Sequence, residues 1–153
     1  MATRGVSHER ADCPVARTVD VIGDRWSLLI VRDVFDGISR FSDLQRNLRL
    51  ARNILASRLR DLVASGILEI VPATDGSSYH EYSLTQKGRD LFSIIVALRQ
   101  WGEEHLFDEG EPHSLLVDDQ QELPLRRLEV TDAAGRVVNS ADAFVRKVSP
   151  HSP

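Results

Sequence analysis

The sequence has a single cysteine, Cys13. That excludes an intramolecular disulfide and a multi-thiolate zinc site, and it fits a reducing compartment. Metal-ligand spacing is missing as well: no two of His8, His80, His105, His113 and His151 stand where one helical face would present both. Apolar runs such as Leu28–Val31 are far short of the roughly 20 residues of a membrane span, and the N-terminus carries no apolar signal segment. A soluble cytoplasmic protein with no membrane partner is expected. Also absent are a Gly-rich phosphate loop, a nucleophile elbow and a Ser/His/Asp set in recognisable context, which argues against an enzyme. Cys13 with a histidine is the remaining nucleophile pair to weigh, and no cofactor is called for. There is no internal repeat and no low-complexity stretch.

The 153 residues suffice for one sizeable core plus an appendage. The formal net charge of −4 is unevenly spread: residues 1–102 hold 14 Lys and Arg against 12 Asp and Glu, and residues 103–153 hold 5 against 11. The acidity therefore belongs to the tail. Between Arg40 and Arg60 there are six arginines and one acid, Asp43, a local +5 that suits a phosphate-facing patch.

Residues 1–11 are polar and of mixed charge, and read as a flexible arm. Pro14 suits the first position of a helix in which Val15, Thr18, Val19 and Ile22 recur at helical spacing until Gly23. Trp26, Leu29, Ile30 and Val34 mark a second helix ending at Asp36-Gly37, and Ser39–Asn47 a third with Phe41, Leu44 and Leu48 inward. After a turn at 48–50, a fourth helix over Arg52–Ser65 puts Ile54, Leu55, Leu59 and Leu62 on one face, with Gly66 as its stop. Two helices joined by a short turn make a helix-turn-helix candidate. Periodicity then becomes strand-like: Ile67–Val71 and Tyr79–Leu84 flank the turn-rich Asp75-Gly76-Ser77-Ser78, a hairpin that would form a wing. Thr85 can cap one long last helix carrying Leu91, Ile94, Ile95, Leu98, Trp101 and Leu106. Beyond Phe107 the chain is acidic, and Leu125–Thr131 and Val137-Val138 flank a second possible hairpin turn at Asp132–Arg136.

Cys13-Pro14-Val15, Ile22-Gly23-Asp24-Arg25-Trp26-Ser27-Leu28-Leu29-Ile30, Arg40-Phe41-Ser42-Asp43-Leu44, Ser57-Arg58-Leu59 and Tyr82-Ser83-Leu84-Thr85-Gln86-Lys87-Gly88 stand in an order and spacing that closely resembles the HxlR-type winged helix-turn-helix regulators of the MarR-like superfamily. The similarity covers about residues 12–107. It implies a mainly α fold with a small β-hairpin wing, in a homodimeric bacterial transcription factor that binds double-stranded DNA. The domain reading is an arm over 1–11, a DNA-binding and dimerisation domain over 12–108, and an acidic extension over 109–153 with a small β appendage. Two departures from the family pattern stand out. Ala51 occupies the position where a Ser or Thr usually caps the recognition helix, and the wing lacks prolines before its second strand.

In such a reader the second helix of the motif lies in the major groove, where Arg52, Asn53, Ser57 and Arg60 are in position to meet base edges. A solvated amphipathic face is the competing reading of those four. Arg58, nearer the apolar edge, either orients neighbours or reaches a phosphate. Arg40 and Ser42, at the start of the preceding helix, suit phosphate contacts, with a surface salt bridge as the alternative for Arg40. In the wing, Ser77, Ser78 and His80 can touch the backbone or minor groove. A homodimer would use Val15, Val19, Leu91, Ile95, Leu98 and Trp101 and match a pseudo-palindromic operator. For the response there are two candidates. Cys13 at a helix N-terminus near Arg10 and Arg17 is a redox or electrophile sensor of the kind some family members carry at this position. Alternatively, a small-molecule effector sits in a cleft lined by Trp26, Phe35 and Trp101. The rival function is a winged-helix protein-interaction module, its arginine face neutralised by tail acids such as Asp118 and Asp119.

Overall fold

Pro14 opens helix α1 (Pro14–Ile22), and Gly23 closes it by donating its N–H to the Val19 carbonyl at 2.8 Å. The computed structural model describes residues 6–148, so the first five residues of the arm and His151 lie outside the described residues. The chain divides into two compact units, up to Ile95 and from Val96 onward.

In the first unit, α2 (Ser27–Phe35), α3 (Phe41–Leu48) and α4 (Arg52–Ala64) come after α1, and then the antiparallel strands β1 (Leu68–Pro72) and β2 (His80–Leu84) pair from Leu68↔Leu84 to Pro72↔His80. This is the winged helix-turn-helix architecture expected from the spacing. Ile30, Val31, Leu44, Leu55, Leu59, Leu62, Ile67 and Leu68 form its solvent-free centre, and Trp26, Phe35 and Leu91 pack against it. Burying each such side chain contributes about 1.5–3 kcal/mol before the cost of ordering. Ile54 departs from expectation: it is 40% exposed. The 55/59/62 spacing fixes the buried stripe, and Ile54 lies about 100° round the helix from Leu55.

The single long last helix expected after Thr85 is instead two. Thr85 caps the short α5 (Gln86–Arg89), its hydroxyl accepting from Gly88 N at 3.1 Å, and α6 (Phe92–His105) begins after Asp90-Leu91. The break arises because Gly88 is pressed against the Ile67 carbonyl, where a Cβ would come within 2.2 Å.

In the second unit, side chains of α6 hold the chain beyond it by its backbone. Arg99 donates to the Ser114 carbonyl at 2.7 Å, Gln100 donates to the Arg126 carbonyl at 2.9 Å, and Gln100 Oε1 accepts from Leu128 N at 2.8 Å. The Asp132–Arg136 turn is present, closed by Asp132 N to Arg136 O and Val138 N to Val130 O, both 2.9 Å. It carries only the isolated bridge Thr131↔Val137, and no strand is assigned among the described residues there. Most of 125–138 is exposed, so nothing packs the two arms into a ladder. A short 3₁₀ turn, Ser140–Asp142, comes next. No described helix is long and apolar enough to cross a membrane.

Candidate nucleic-acid interface

Helices α3 and α4 are joined by a three-residue turn, Arg49–Ala51. Arg49 takes the left-handed conformation there (φ 52°, ψ 41°), and Gln45 Nε2 bonds the Leu50 carbonyl at 3.2 Å. A non-glycine residue in this region carries steric strain. Ala51 provides no side-chain cap for α4, as its identity implies. Upstream, the carboxylate of Asp33, buried in α2, accepts from Asn47 Nδ2 at 2.7 Å and from Arg32, which fixes α3 against α2.

On α4, Arg52, Asn53 and Arg60 are exposed and fall within about 100° of arc, to one side of the Leu55/Leu59/Leu62 stripe, with Arg52 next to its edge. Arg52 is set by its stack on Phe41, the guanidinium carbon 5.3 Å from the ring centroid. Ser57 is half-buried on the edge of the same face. Among the described residues no ion pair engages Arg49, Arg52 or Arg60.

The other three arginines of the patch are paired internally. Arg46 meets Asp43 at 3.2 Å. Arg58 meets Asp61 at 3.1 Å and Asp24 at 3.7 Å. Asp24 in turn caps α2 by accepting from Trp26 N at 2.8 Å and Ser27 N at 3.1 Å. Burial raises the Asp24 carboxyl, but Ser27, those amides and Arg58 outweigh it and leave it below its usual value. Of the two roles open to Arg58, the observed contacts are those of orienting neighbours.

Arg40, at the N-cap of α3, pairs with Asp75 Oδ2 at 2.5 Å and Glu81 Oε1 at 3.2 Å, the salt-bridge alternative. Ser42 is exposed in the first turn of α3. In the wing, Ser78 and His80 are exposed, while Ser77 is half-buried and donates its N–H to Asp75 at 2.9 Å. Sequence reasoning did not single out Asp24, Asp75, Glu81 or Tyr79, whose ring lies 6.0 Å from the Arg40 guanidinium. The Asp-Gly turn was the only local signal for any of them. In the tail, the Asp118 carboxylate accepts from Gln121 N at 2.8 Å and Leu123 N at 2.9 Å within its own turn.

Of the proposed contact residues between subunits, Val15 and Val19 on α1 and Leu98 and Trp101 on α6 are at least half exposed. Leu91 and Ile95 are half-buried, Leu91 against the core. Cys13 is exposed at the N-cap of α1 and makes no side-chain cap.

A family model described as HxlR-like helix-turn-helix matches residues 21–109. An uncharacterized HTH-type transcriptional regulator of Mycobacterium tuberculosis, Rv3095, is 47% identical over 116 residues, covering 75% of this chain and 73% of its own. Among solved structures, the crystal structure of PA1607, a candidate transcription factor, is similar with a TM-score of 0.87 and 49% identity over 94% of this chain and all of its own. The oxidized form of the redox regulator HypR gives a TM-score of 0.56 and 35% identity over 61% of this chain and 97% of its own.

Proposed function

Because this chain belongs to the HxlR-like helix-turn-helix family, whose members here are transcription regulators and not enzymes, we propose that it binds duplex operator DNA as a homodimer and represses a neighbouring gene in the cytoplasm. Helix α4 enters the major groove, with Arg52, Asn53, Ser57 and Arg60 toward base edges. Ser42 and Arg49 face phosphates, and Ser77, Ser78 and His80 bring the wing to the backbone or minor groove. The observation that carries this reading is the exposed Arg52/Asn53/Arg60 face on the second helix of the motif, with no internal counter-ion among the described residues.

The exposed Val15, Val19, Leu98 and Trp101 support a two-fold dimer to which the half-buried Leu91 and Ile95 also contribute, and two α4 helices would meet half-sites about 34–36 Å apart. The test is titration of a labelled duplex from upstream of its own gene, followed by selection from random duplexes if that site is not the operator. Arg52→Ala and Asn53→Ala should each flatten sequence preference by about 1–3 kcal/mol at one base position. Loss of affinity equal on all duplexes would count against base reading by these two residues.

For the response, the exposed Cys13 and the similarity to a redox regulator favour oxidation over a ligand lodged near Trp26, Phe35 and Trp101. Oxidant should release the duplex from the native chain and not from Cys13→Ser. Indifference of the native chain to oxidant would favour the ligand. The internal pairing of Arg40, Arg46 and Arg58 favours the second reading, a protein-interaction module, by halving the free charge of the patch. Salt-sensitive duplex binding would exclude it.

A further inference from the structure

The hairpin and helix α3 come from distant parts of the chain, and one arginine joins them. Arg40 directs Nε to Glu81 on β2 (3.2 Å) and Nη2 to Asp75 in the wing turn (2.5 Å), and its guanidinium also faces Tyr79. One residue to either side, Tyr82 N donates to the Ser39 carbonyl at 2.8 Å, so backbone and side chain fasten the same level of the hairpin. Glu81 is 7% exposed, and Thr74 Oγ1 lies 3.4 Å from its second oxygen. Asp75 spends its other oxygen on Ser77 N, so the carboxylate that holds Arg40 also shapes the wing tip. We propose that Arg40, Glu81 and Asp75 are positioning residues that clamp the wing at a fixed distance from α3 and α4, and that Arg40 acts on DNA binding through the wing and not by touching phosphate.

Charge supports this. One guanidinium faces two carboxylates, a local excess of negative charge, and Arg40 holds the Asp75 carboxyl far below the ordinary carboxylate range. With Nε and Nη2 taken by the two carboxylates, only the remaining donors, chiefly Nη1, are open to a DNA phosphate, and it would meet there a guanidinium whose charge is already more than balanced. The wing itself needs placing, because Pro72–Glu81 contains no Lys or Arg. Its contacts to DNA would come from Ser78, His80 and backbone amides, short-range groups that act only at hydrogen-bond distance.

The proposal rests on the DNA-binding reading above, and a double-mutant cycle on the labelled upstream duplex tests it. Arg40→Gln and Glu81→Gln should each weaken binding about tenfold, the equivalent of about 1.4 kcal/mol, and the double variant should lose about the same tenfold. The salt slope should stay that of the native chain, because no cation that touches DNA has been removed. Asp75→Asn, at a half-exposed site that leaves no buried charge behind, should show a smaller loss in the same direction. In the free protein, amide exchange at Ser77–His80 should quicken in all three single variants. The idea is overturned if Arg40→Gln lowers the salt slope by about 1.8, the signature of one phosphate contact in each of two subunits, if Glu81→Gln tightens binding, or if the two losses add. A native chain that binds no duplex would overturn the DNA reading itself, and this proposal with it.

Discussion

Replacing Gly88 with alanine adds one methyl group at a point of backbone contact. The new Cβ would lie 2.2 Å from the Ile67 carbonyl oxygen and 2.9 Å from Leu84 Cδ2. The nearer neighbour is backbone, so α5 has to retreat by about 1 Å, an overpacking that costs typically 1–3 kcal/mol. The retreat pulls on the Thr85 N–H bond to Ile67 O (3.1 Å) and on the Thr85 cap of α5, whose hydroxyl also reaches Gly66 O at 2.6 Å. Each is worth about 1 kcal/mol. The smaller entropy of an unfolded alanine offsets about 0.4–1 kcal/mol of this. Gly88→Ala should therefore destabilise by about 2–4 kcal/mol, read from denaturant unfolding at fixed protein concentration with an unchanged m value. At this chain length the melting temperature should fall by about 5–10 °C. Gly102, also helical but with nothing within 4 Å of its added Cβ, is the control, and alanine there should gain about 0.5–1 kcal/mol. A Gly88→Ala protein as stable as the native one, beside a stabilised Gly102→Ala, would refute the close-contact reasoning.

Leu55→Ala, at a fully buried position, should cost about 2–5 kcal/mol by urea unfolding, while Ile54→Ala on the exposed side should cost well under 1 kcal/mol. Asp24→Ala removes the cap of α2 and the partner of Arg58 and should cost about 1–3 kcal/mol, with Arg58→Ala adding little in that background. Arg49→Gly should relieve left-handed strain and raise stability by up to about 1 kcal/mol while weakening duplex binding, so the two assays should move in opposite directions. Arg40 lowers the Asp75 carboxyl in the folded state, so its contribution is intact above the unfolded value of about 3.9 and is lost as pH falls below it. Between pH 5 and pH 2 the native chain should lose more stability than Asp75→Asn, and parallel curves would contradict the pairing.

The first four helices and the hairpin were legible because their punctuation is local. Pro14, Gly23 and Gly66 act on their own neighbours, and the 3.6-to-2 change of period at Ile67 needs no tertiary knowledge. The break between α5 and α6 was not legible, because Gly88 is forced by a carbonyl 21 positions away in sequence, and the apolar positions beyond it keep helical spacing. The same limit applied to the site. Arg52, Asn53 and Arg60 were read from one helix and stand exposed together, whereas the partners of Arg40 lie 35 and 41 residues downstream. A patch that counts as +5 along the chain therefore presents about half its arginines free in the fold. The Asp132–Arg136 turn was visible in its residues, but a ladder depends on packing that this exposed segment lacks.

The most direct test of the account is the salt dependence of duplex binding by the intact protein. With Arg49 of each of two subunits on a phosphate, log K should fall linearly with log salt at a slope of about −2 or steeper, and Arg49→Ala should make it shallower by about 1.8. Binding that does not change with salt, or no binding to any duplex at low salt, would contradict the claim that this face of α4 is held open for DNA.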